Sequence, residues 1–236
     1  MTTSKQFLVR AAARNNAEWC AVMSRSHGVA GEFGAQAWAA AARTPPYYPD
    51  AVTLVPGADP DALAARIDTT TPGASVKDSF ADLDLTEAGY RVLFDAQWIH
   101  RPAGAPCLTS DLGWDVVGDR EALREWALAW DDDGGAADLF RPELLDDPDT
   151  FVLAGHSADG RVLTGAVASR GEHVVGISNL FAREGGPDLA WPVVLGAAHR
   201  LFPTLPVVGY EHGDDLTAAV RQGFEPVGPL RVWLHG

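Results

Sequence analysis

The residues best suited to acid–base chemistry form a short polar run near the carboxyl-terminal end, Tyr210-Glu211-His212-Gly213-Asp214-Asp215. A carboxylate or an imidazole in this run could take a proton from an ammonium group through one water molecule. Glu211 and His212 are adjacent, so on a strand their side chains point to opposite faces and cannot serve one site. We predict Glu211 as the catalytic base. A solvated loop closed by an aspartate N-cap explains the same run without chemistry.

A second candidate is a glycine-containing loop, Arg183-Glu184-Gly185-Gly186-Pro187-Asp188, which lies between an apolar strand (174–181) and an apolar helix (189–201). Free backbone N–H groups at a helix N-terminus form a cradle for an anion. Pro187 has no N–H to contribute. The Asp188 carboxylate would repel a bound anion by about 1–4 kcal/mol at contact distance. Asp188 is equally well explained as the N-cap of the following helix.

Composition places this chain of 236 residues among ordinary globular proteins, with 47% hydrophobic and 21% charged residues. Residues 1–110 carry 9 basic and 11 acidic side chains, whereas residues 111–236 carry 9 basic and 21 acidic ones. No basic stripe is present, so we expect neither nucleic acid nor a membrane as a partner. Cys20 and Cys107 lie far apart without metal-ligand spacing, which indicates no metal site and a reducing, cytoplasmic location.

The first part of the chain predicts a mixture of helices and strands. Asp59 followed by Pro60 is a good helix start, and we expect a short helix through Ile67. The segment Arg101–Ser110, with two prolines and no periodicity, predicts a linker. The other expected elements are helices at 17–26 and 35–42 and strands at 51–55, 79–85 and 90–99.

The pattern after residue 110 is clearer. Asp119 predicts the cap of a helix whose Leu123, Trp126, Ala127 and Trp130 follow helical spacing. Two hairpin turns, 157–160 and 170–172, join three strands, while 131–135 predicts a loop. The expected elements are strands at 114–117, 150–154, 162–169, 174–181 and 205–210, helical segments at 144–148, 189–201 and 214–222, and two short closing strands.

This order of elements and the glycine loop resemble the GNAT-type N-acetyltransferase superfamily. The family's loop has the form Gln/Arg-x-x-Gly-x-Gly/Ala, and Arg183 and Gly186 match its first and fourth positions, while Asp188 departs at the sixth. The resemblance implies an α+β fold with a mixed, mostly antiparallel twisted sheet flanked by helices over residues 111–236. Residues 1–110 then form a smaller α+β segment, which could be a degenerate copy of such a half.

The resemblance also implies acetyl-CoA or another acyl-CoA as co-substrate, without a metal. The residues that it assigns to cofactor binding are Ile177, Asn179, Leu180, Arg183, Gly185 and Gly186. Ser178 and Asn179 are polar insertions in an apolar strand, and they either line an acceptor pocket or form an inward pair satisfied by backbone groups.

The helix at 214–222 resembles a family segment in which a tyrosine, four residues before a glycine, acts as general acid. Here that position is Ala219, so protonation of the CoA thiolate would need another donor or water. Gly223 suits a left-handed helix end. We expect Leu216, Ala219, Val220 and Phe224 to face inward.

The leading hypothesis is an N-acyltransferase that transfers an acyl group from acyl-CoA to an amine of a small molecule or peptide. The alternative is a catalytically inactive GNAT-like binding or scaffold protein with a degenerate CoA site. A hydrolase is a weaker third class: Ser157 follows His156, but no G-x-S-x-G elbow is present. The acceptor and the oligomeric state are not readable from the sequence.

Overall fold

The structure is a computed structural model, and it describes residues 4–108, 110–131 and 137–236. These residues pack as two units, one formed by the chain up to Trp98 together with Val227–Gly236, the other by Ile99–Pro226. The fold is α+β, as the sequence predicted. The predicted domain boundary between residues 110 and 111 stays a prediction.

The first unit contains one long helix, one short helix and six strands, of which the fifth continues into the second unit. In chain order they are α1 (Lys5–Ser26), β1 (Gly31–Phe33), β2 (Ala37–Ala40), β3 (Ala51–Thr53), α2 (Pro60–Ala64), β4 (Ser75–Asp78) and β5 (Tyr90–Arg101). The last strand of the chain, described below, returns to this unit.

Helix α1 is longer than the predicted 17–26 segment, because Ser4 caps it and accepts a hydrogen bond from the Phe7 N–H at 3.3 Å. The Asp59 cap is confirmed: its carboxylate accepts from the N–H groups of Asp61 and Ala62. The predicted helix at 35–42 is wrong. Residues 37–40 form β2 instead, which pairs with β1 and β3 and is buried throughout.

The strand predicted at 79–85 is also wrong. The strand lies earlier, at β4, and the following residues turn because the Asp78 carboxylate accepts hydrogen bonds from the N–H groups of Phe80 and Leu83. Leu83 and Leu85 are buried in the core of this unit, which explains the alternation in the sequence.

The second unit carries the clearest part of the sequence pattern. It contains β6 (Gly113–Val116), α3 (Arg120–Trp130), a 3₁₀ helix (Pro142–Asp146), β7 (Thr150–His156), β8 (Val162–Arg170), β9 (Val175–Ala182), α4 (Pro187–Leu201), β10 (Val207–Glu211) and α5 (Gly213–Arg221). Each element was predicted within a few residues. Of the predicted loop 131–135, residues 132–135 lie outside the described residues.

The two closing strands predicted at the end are one continuous strand, β11 (Glu225–His235). Gly228 within this strand permits close packing: a Cβ there would stand 2.7 Å from a Val9 methyl group. The first residue of the predicted linker, Arg101, is the last residue of β5 and is buried. Its guanidinium group donates hydrogen bonds to the carbonyls of Gln222, Ala105 and Pro106.

Within the second unit the strand order is β10-β9-β8-β7-β6. The pairs β6–β7, β7–β8 and β8–β9 are antiparallel, and β9–β10 is parallel. Helix α4 packs on β7, β8 and β9, while α3 packs on β8 and β9. Trp191 of α4 is at the centre of the core, and its ring lies 4.7 Å from that of Phe224. Among the described residues, no helix has the length and apolar character needed to cross a bilayer.

Candidate functional site

Two parallel strands, β9 and β10, pair only where they begin. Val175 lies opposite Val207 and Gly176 opposite Val208, and the structure pairs none of the later residues of these two strands with one another. The first three residues of β9, Val175 to Ile177, are buried, and the residues from Ser178 onward are half-buried. We call the gap beyond this point, between 178–182 of β9 and 210–211 of β10, the notch. Strand edges that part leave backbone groups available to water or a ligand.

Strand β9 is bulged on its other side, against β8. The register shifts by one residue between Gly165 and Val167, so that Asn179 and Leu180 together face Ala166. Asn179 has a φ of +55°, a left-handed conformation that asparagine tolerates better than most residues. A bulge bends its strand and re-aims the neighbouring groups. The bend therefore falls on two of the residues predicted to bind the cofactor.

Packing of Trp126 against β8 and β9 supports this bent segment. Its indole N–H donates to the Leu153 carbonyl at 2.8 Å, and its ring lies 5.2 Å from that of Phe181, edge to face. Gly165 leaves room for the Trp126 ring because it has no side chain. A Cβ at Gly165 would lie 2.6 Å from the Leu153 oxygen and 2.8 Å from the Phe181 ring, so no larger residue fits without rearrangement.

The loop after β9 is an amide cradle. Gly185 and Gly186 have φ values of +72° and +64°. Within the described part of the chain, the N–H groups of Gly185, Gly186 and Asp188 donate no hydrogen bond. The predicted Asp188 N-cap is wrong: α4 begins at Pro187, two residues before the predicted start, and its N-cap is Gly186, which has no side chain to fill the turn. The first turn of α4 can therefore receive an anion.

Asp188 pairs with a cation rather than capping its helix. Its carboxylate accepts two hydrogen bonds from the Arg221 guanidinium, one of 2.7 Å and one of 3.3 Å. Both side chains are 54% exposed. The pair joins the start of α4 to the end of α5, and it places a positive charge beside the cradle where the sequence alone indicated a negative one.

Glu211, the predicted base, ends β10 at the notch. Burial, with a smaller contribution from the nearby Asp215 carboxylate, raises the pKa of Glu211 to about 8. Among the described residues its carboxyl group has no hydrogen bond or ion pair. Glu211 is thus a carboxyl group able to exchange a proton near neutral pH. His212 follows as the exposed N-cap of α5.

Helix α5 agrees with most of the predicted pattern. Ala219 is fully buried, Phe224 is buried, and Gly223 has the expected left-handed φ of +86°. Val220 was predicted to face inward and instead is 46% exposed, because Ala218 occupies the inward position beside Ala219. Position 219 offers no proton donor.

The other residues predicted to bind the cofactor lie on β9 or in the loop that follows it. The Ile177 side chain is in the core, so only its backbone is available to the notch. The Arg183 N–H donates to the Leu163 carbonyl at 2.9 Å, and its side chain is exposed. Asn179 lies in the bulge of β9, and Gly185 and Gly186 lie in the cradle that follows the strand.

The arrangement around Ser157 does not favour a hydrolase. The Ser157 hydroxyl donates to the Asp159 carboxylate, while the His156 ring contacts Asp115 at 3.1 Å and the Gly160 carbonyl at 3.3 Å. The serine and the histidine are therefore engaged with other partners rather than with each other. In the described ranges, His, Cys, Asp and Glu side chains form no group of three that could hold a metal ion.

Comparison with solved structures identifies the fold of this chain. No family model matches this chain, and no curated protein sequence matches it. Similar solved structures include a GCN5-related N-acetyltransferase from Kribbella flavida, at 19% identity and a TM-score of 0.60, with 95% of each chain covered. A putative acetyltransferase from the GNAT family of Novosphingobium aromaticivorans is similar at 15% identity and a TM-score of 0.54, covering 92% of this chain and 96% of that one.

A functionally unknown conserved protein from Staphylococcus epidermidis is similar as well, at 10% identity and a TM-score of 0.58, over 74% of this chain and 75% of that one. The chain therefore has a GNAT-like fold, as its element order predicted. The likeness extends well beyond residues 111–236, where the sequence pattern had indicated it.

Proposed function

We propose that this protein is an N-acyltransferase that moves an acyl group, acetyl or longer, from acyl-CoA to an amine of a small molecule or peptide. The observation that carries the proposal is the notch, where β9 and β10 part, β9 is bulged at Asn179, the amide cradle follows, and Glu211 stands at the opposite edge.

The cradle is compatible with the diphosphate of CoA. Gly185, Gly186 and Asp188 supply N–H groups without internal acceptors, and Pro187 removes only one donor. The Asp188 carboxylate is offset by Arg221, so the repulsion expected from the sequence is reduced. Arg221 can also turn toward a phosphate, for which its planar guanidinium is well suited.

Acyl-CoA would supply the thioester as acyl donor. Glu211 accepts a proton from the ammonium form of the acceptor, directly or through one water molecule, and the neutral amine nitrogen then attacks the acyl carbon. As the carbon–sulfur bond breaks, the nitrogen loses a second proton, which water passes to the leaving thiolate. Backbone N–H groups of β9 that face the notch stabilise the charge on the carbonyl oxygen. A base with a pKa near 8 suits this task, since it is largely ionised in mildly alkaline solution and still basic enough to accept the proton.

Water delivers to the leaving thiolate the proton that the nitrogen releases, since Ala219 has no hydroxyl group. We also propose a cytoplasmic location, where Cys20 and Cys107, both free thiols, stay reduced.

The experiment is a CoA-thiol release assay with acetyl-CoA and longer acyl-CoAs against a panel of primary amines and amino-terminal peptides. We expect amine-dependent release that Glu211→Gln lowers at least 100-fold. CoA binding without release from any amine would favour the alternative, a GNAT-like binding protein. Neither binding nor release would contradict both.

A further inference from the structure

A pocket of about 410 Å³ lies in the second unit, and its lining includes none of the residues assigned to acyl transfer. Its lining comes from the first half of α3 and from the segment that leads into the 3₁₀ helix. Buried Leu123 and Phe140 form its apolar wall, and the side chains of Arg120, Arg124 and Arg141 surround it. A volume of this size is typical of small-molecule sites.

The charges of these three arginines are not used within the described part of the chain. None of Arg120, Arg124 and Arg141 makes a hydrogen bond or an ion pair there, and residues 111–236 carry 21 acidic side chains. In the same unit Arg170 and Arg221 pair with Asp149 and Asp188. Acidic partners are abundant, yet among the described residues none pairs with the three guanidinium groups at this pocket.

The positions of Arg120 and Arg124 are also unfavourable for the stability of α3. Arg120 occupies the first position of α3, where the helix dipole disfavours a positive charge. Arg124 follows four residues later on the same face, so the two like charges repel. Both effects weaken α3 slightly, and a bound anion would offset them.

Phe140 and Asp138 restrict the kind of anion. The Phe140 ring stands 4.8 Å from Trp126 and gives the pocket an aromatic wall. The Asp138 carboxylate also lines the pocket, without an ion pair to the arginines, and lowers the formal charge of the lining from +3 to +2. A ligand with one oxyanion group and an apolar body matches both features.

We propose that this pocket binds a small molecule that carries an oxyanion, a phosphate monoester or a carboxylate, on an aromatic or aliphatic group. Bidentate hydrogen bonds from the guanidinium groups hold the oxyanion, and the wall of Leu123 and Phe140 covers the apolar part. This site does not depend on the proposed acyl transfer.

Titration calorimetry with three matched probes tests the proposal: phenyl phosphate, benzoate and neutral benzamide. We expect submillimolar binding of at least one anion, weakening as salt rises, and no binding of benzamide. The stronger of the two anions identifies the group that the pocket takes. Equal binding of benzamide, or no binding of either anion, would overturn the proposal.

Two variants and one control locate the binding. Arg124→Gln should weaken the anion at least tenfold, and Asp138→Asn should strengthen it severalfold by removing a negative charge. Arg200→Gln removes an exposed arginine of α4 outside the lining and should leave affinity unchanged. An equal loss in Arg124→Gln and Arg200→Gln would mean a general charge effect. Displacement of the anion by CoA would assign the pocket to the CoA site and overturn its separate role.

Discussion

Glu211 of β10 and Asn179 of β9 hold matching positions on two parallel strands that no longer pair there. The pairs Val207–Val175 and Val208–Gly176 set an offset of 32 residues, which carries Glu211 to Asn179 three residues beyond the last pair. In this register a carboxyl group with a pKa of about 8 on one edge of the notch corresponds to a bulge residue in a left-handed conformation on the other. A continuous ladder would have closed the space between them.

The pH dependence of the reaction should report Glu211. We expect kcat/KM to rise with pH and to level off above about 8, because the base must be ionised. Glu211→Gln should remove this limb, and Asp215→Asn should move it to lower pH by removing a neighbouring negative charge. A limb that persists unchanged in Glu211→Gln would assign the ionisation to another group.

Stability should depend on the same group with a defined sign. The folded-state pKa of Glu211 lies above the unfolded value of about 4.3, so the folded state binds the proton more tightly. Its contribution is neutral below pH 4, grows less favourable as pH rises from about 4 to 8, and is constant above. Glu211→Gln should therefore be more stable than the natural protein at pH 9, by on the order of 1–3 kcal/mol, and equally stable at pH 4.

Urea unfolding at the two pH values measures this difference. Asp214→Asn, a neighbouring exposed carboxylate, provides the control and should show a much smaller pH-dependent change. The same stability difference at both pH values would show that Glu211 titrates normally.

The Asp188–Arg221 ion pair should matter for CoA more than for folding. Because both side chains are about half exposed, Arg221→Gln should change the free energy of unfolding by less than about 1 kcal/mol. The same variant leaves Asp188 uncompensated at the cradle, and we expect CoA binding to weaken about tenfold, or about 1.4 kcal/mol. Adding Asp188→Asn should restore most of that loss, as calorimetry of the double-mutant cycle would show. Additive effects of the two substitutions would contradict the compensation.

Gly165→Ala should destabilise the second unit by about 1–3 kcal/mol, since the new methyl group meets the Leu153 carbonyl and the Phe181 ring. Gly113→Ala on β6 has open space around it and should change stability by less than about 0.5 kcal/mol. Denaturant unfolding of the two variants compares them directly. Equal stabilities would show that Trp126 and its neighbours repack freely.

The sequence predicted the second unit well because local signals agree there. Asp119 caps α3 as expected, accepting from Glu121 and Ala122, and the glycine turn at Gly160 joins β7 to β8. In the first unit, alanine-rich residues 35–42 predicted a helix, but Trp38 packs against Gly31 across a hairpin. β2 also pairs with β3 on its other side. Pairing with two neighbouring strands overrides helix propensity, and the propensity of residues 35–42 alone does not indicate it.

The candidate site could be predicted in part. Glu211 and the glycine loop follow from residue type and position. The bulge, the parting of the strands and the Asp188–Arg221 pair depend on tertiary packing, the last between residues 33 positions apart. No spacing in the sequence indicates that pair, nor the arginine pocket, whose members come from two segments.

Binding of CoA to the cradle is the most direct test of the proposed function. Gly186 has a φ of +64° and a ψ of −164°, a region that only glycine enters readily. Gly186→Ala should distort the cradle, whereas Gly160→Ala places similar strain in the β7–β8 turn, far along the chain from it. In calorimetric titrations with CoA, we predict binding by the natural protein and by Gly160→Ala and at least tenfold weaker binding by Gly186→Ala. No heat of binding with the natural protein at millimolar CoA, or equal affinity in all three, would contradict the account.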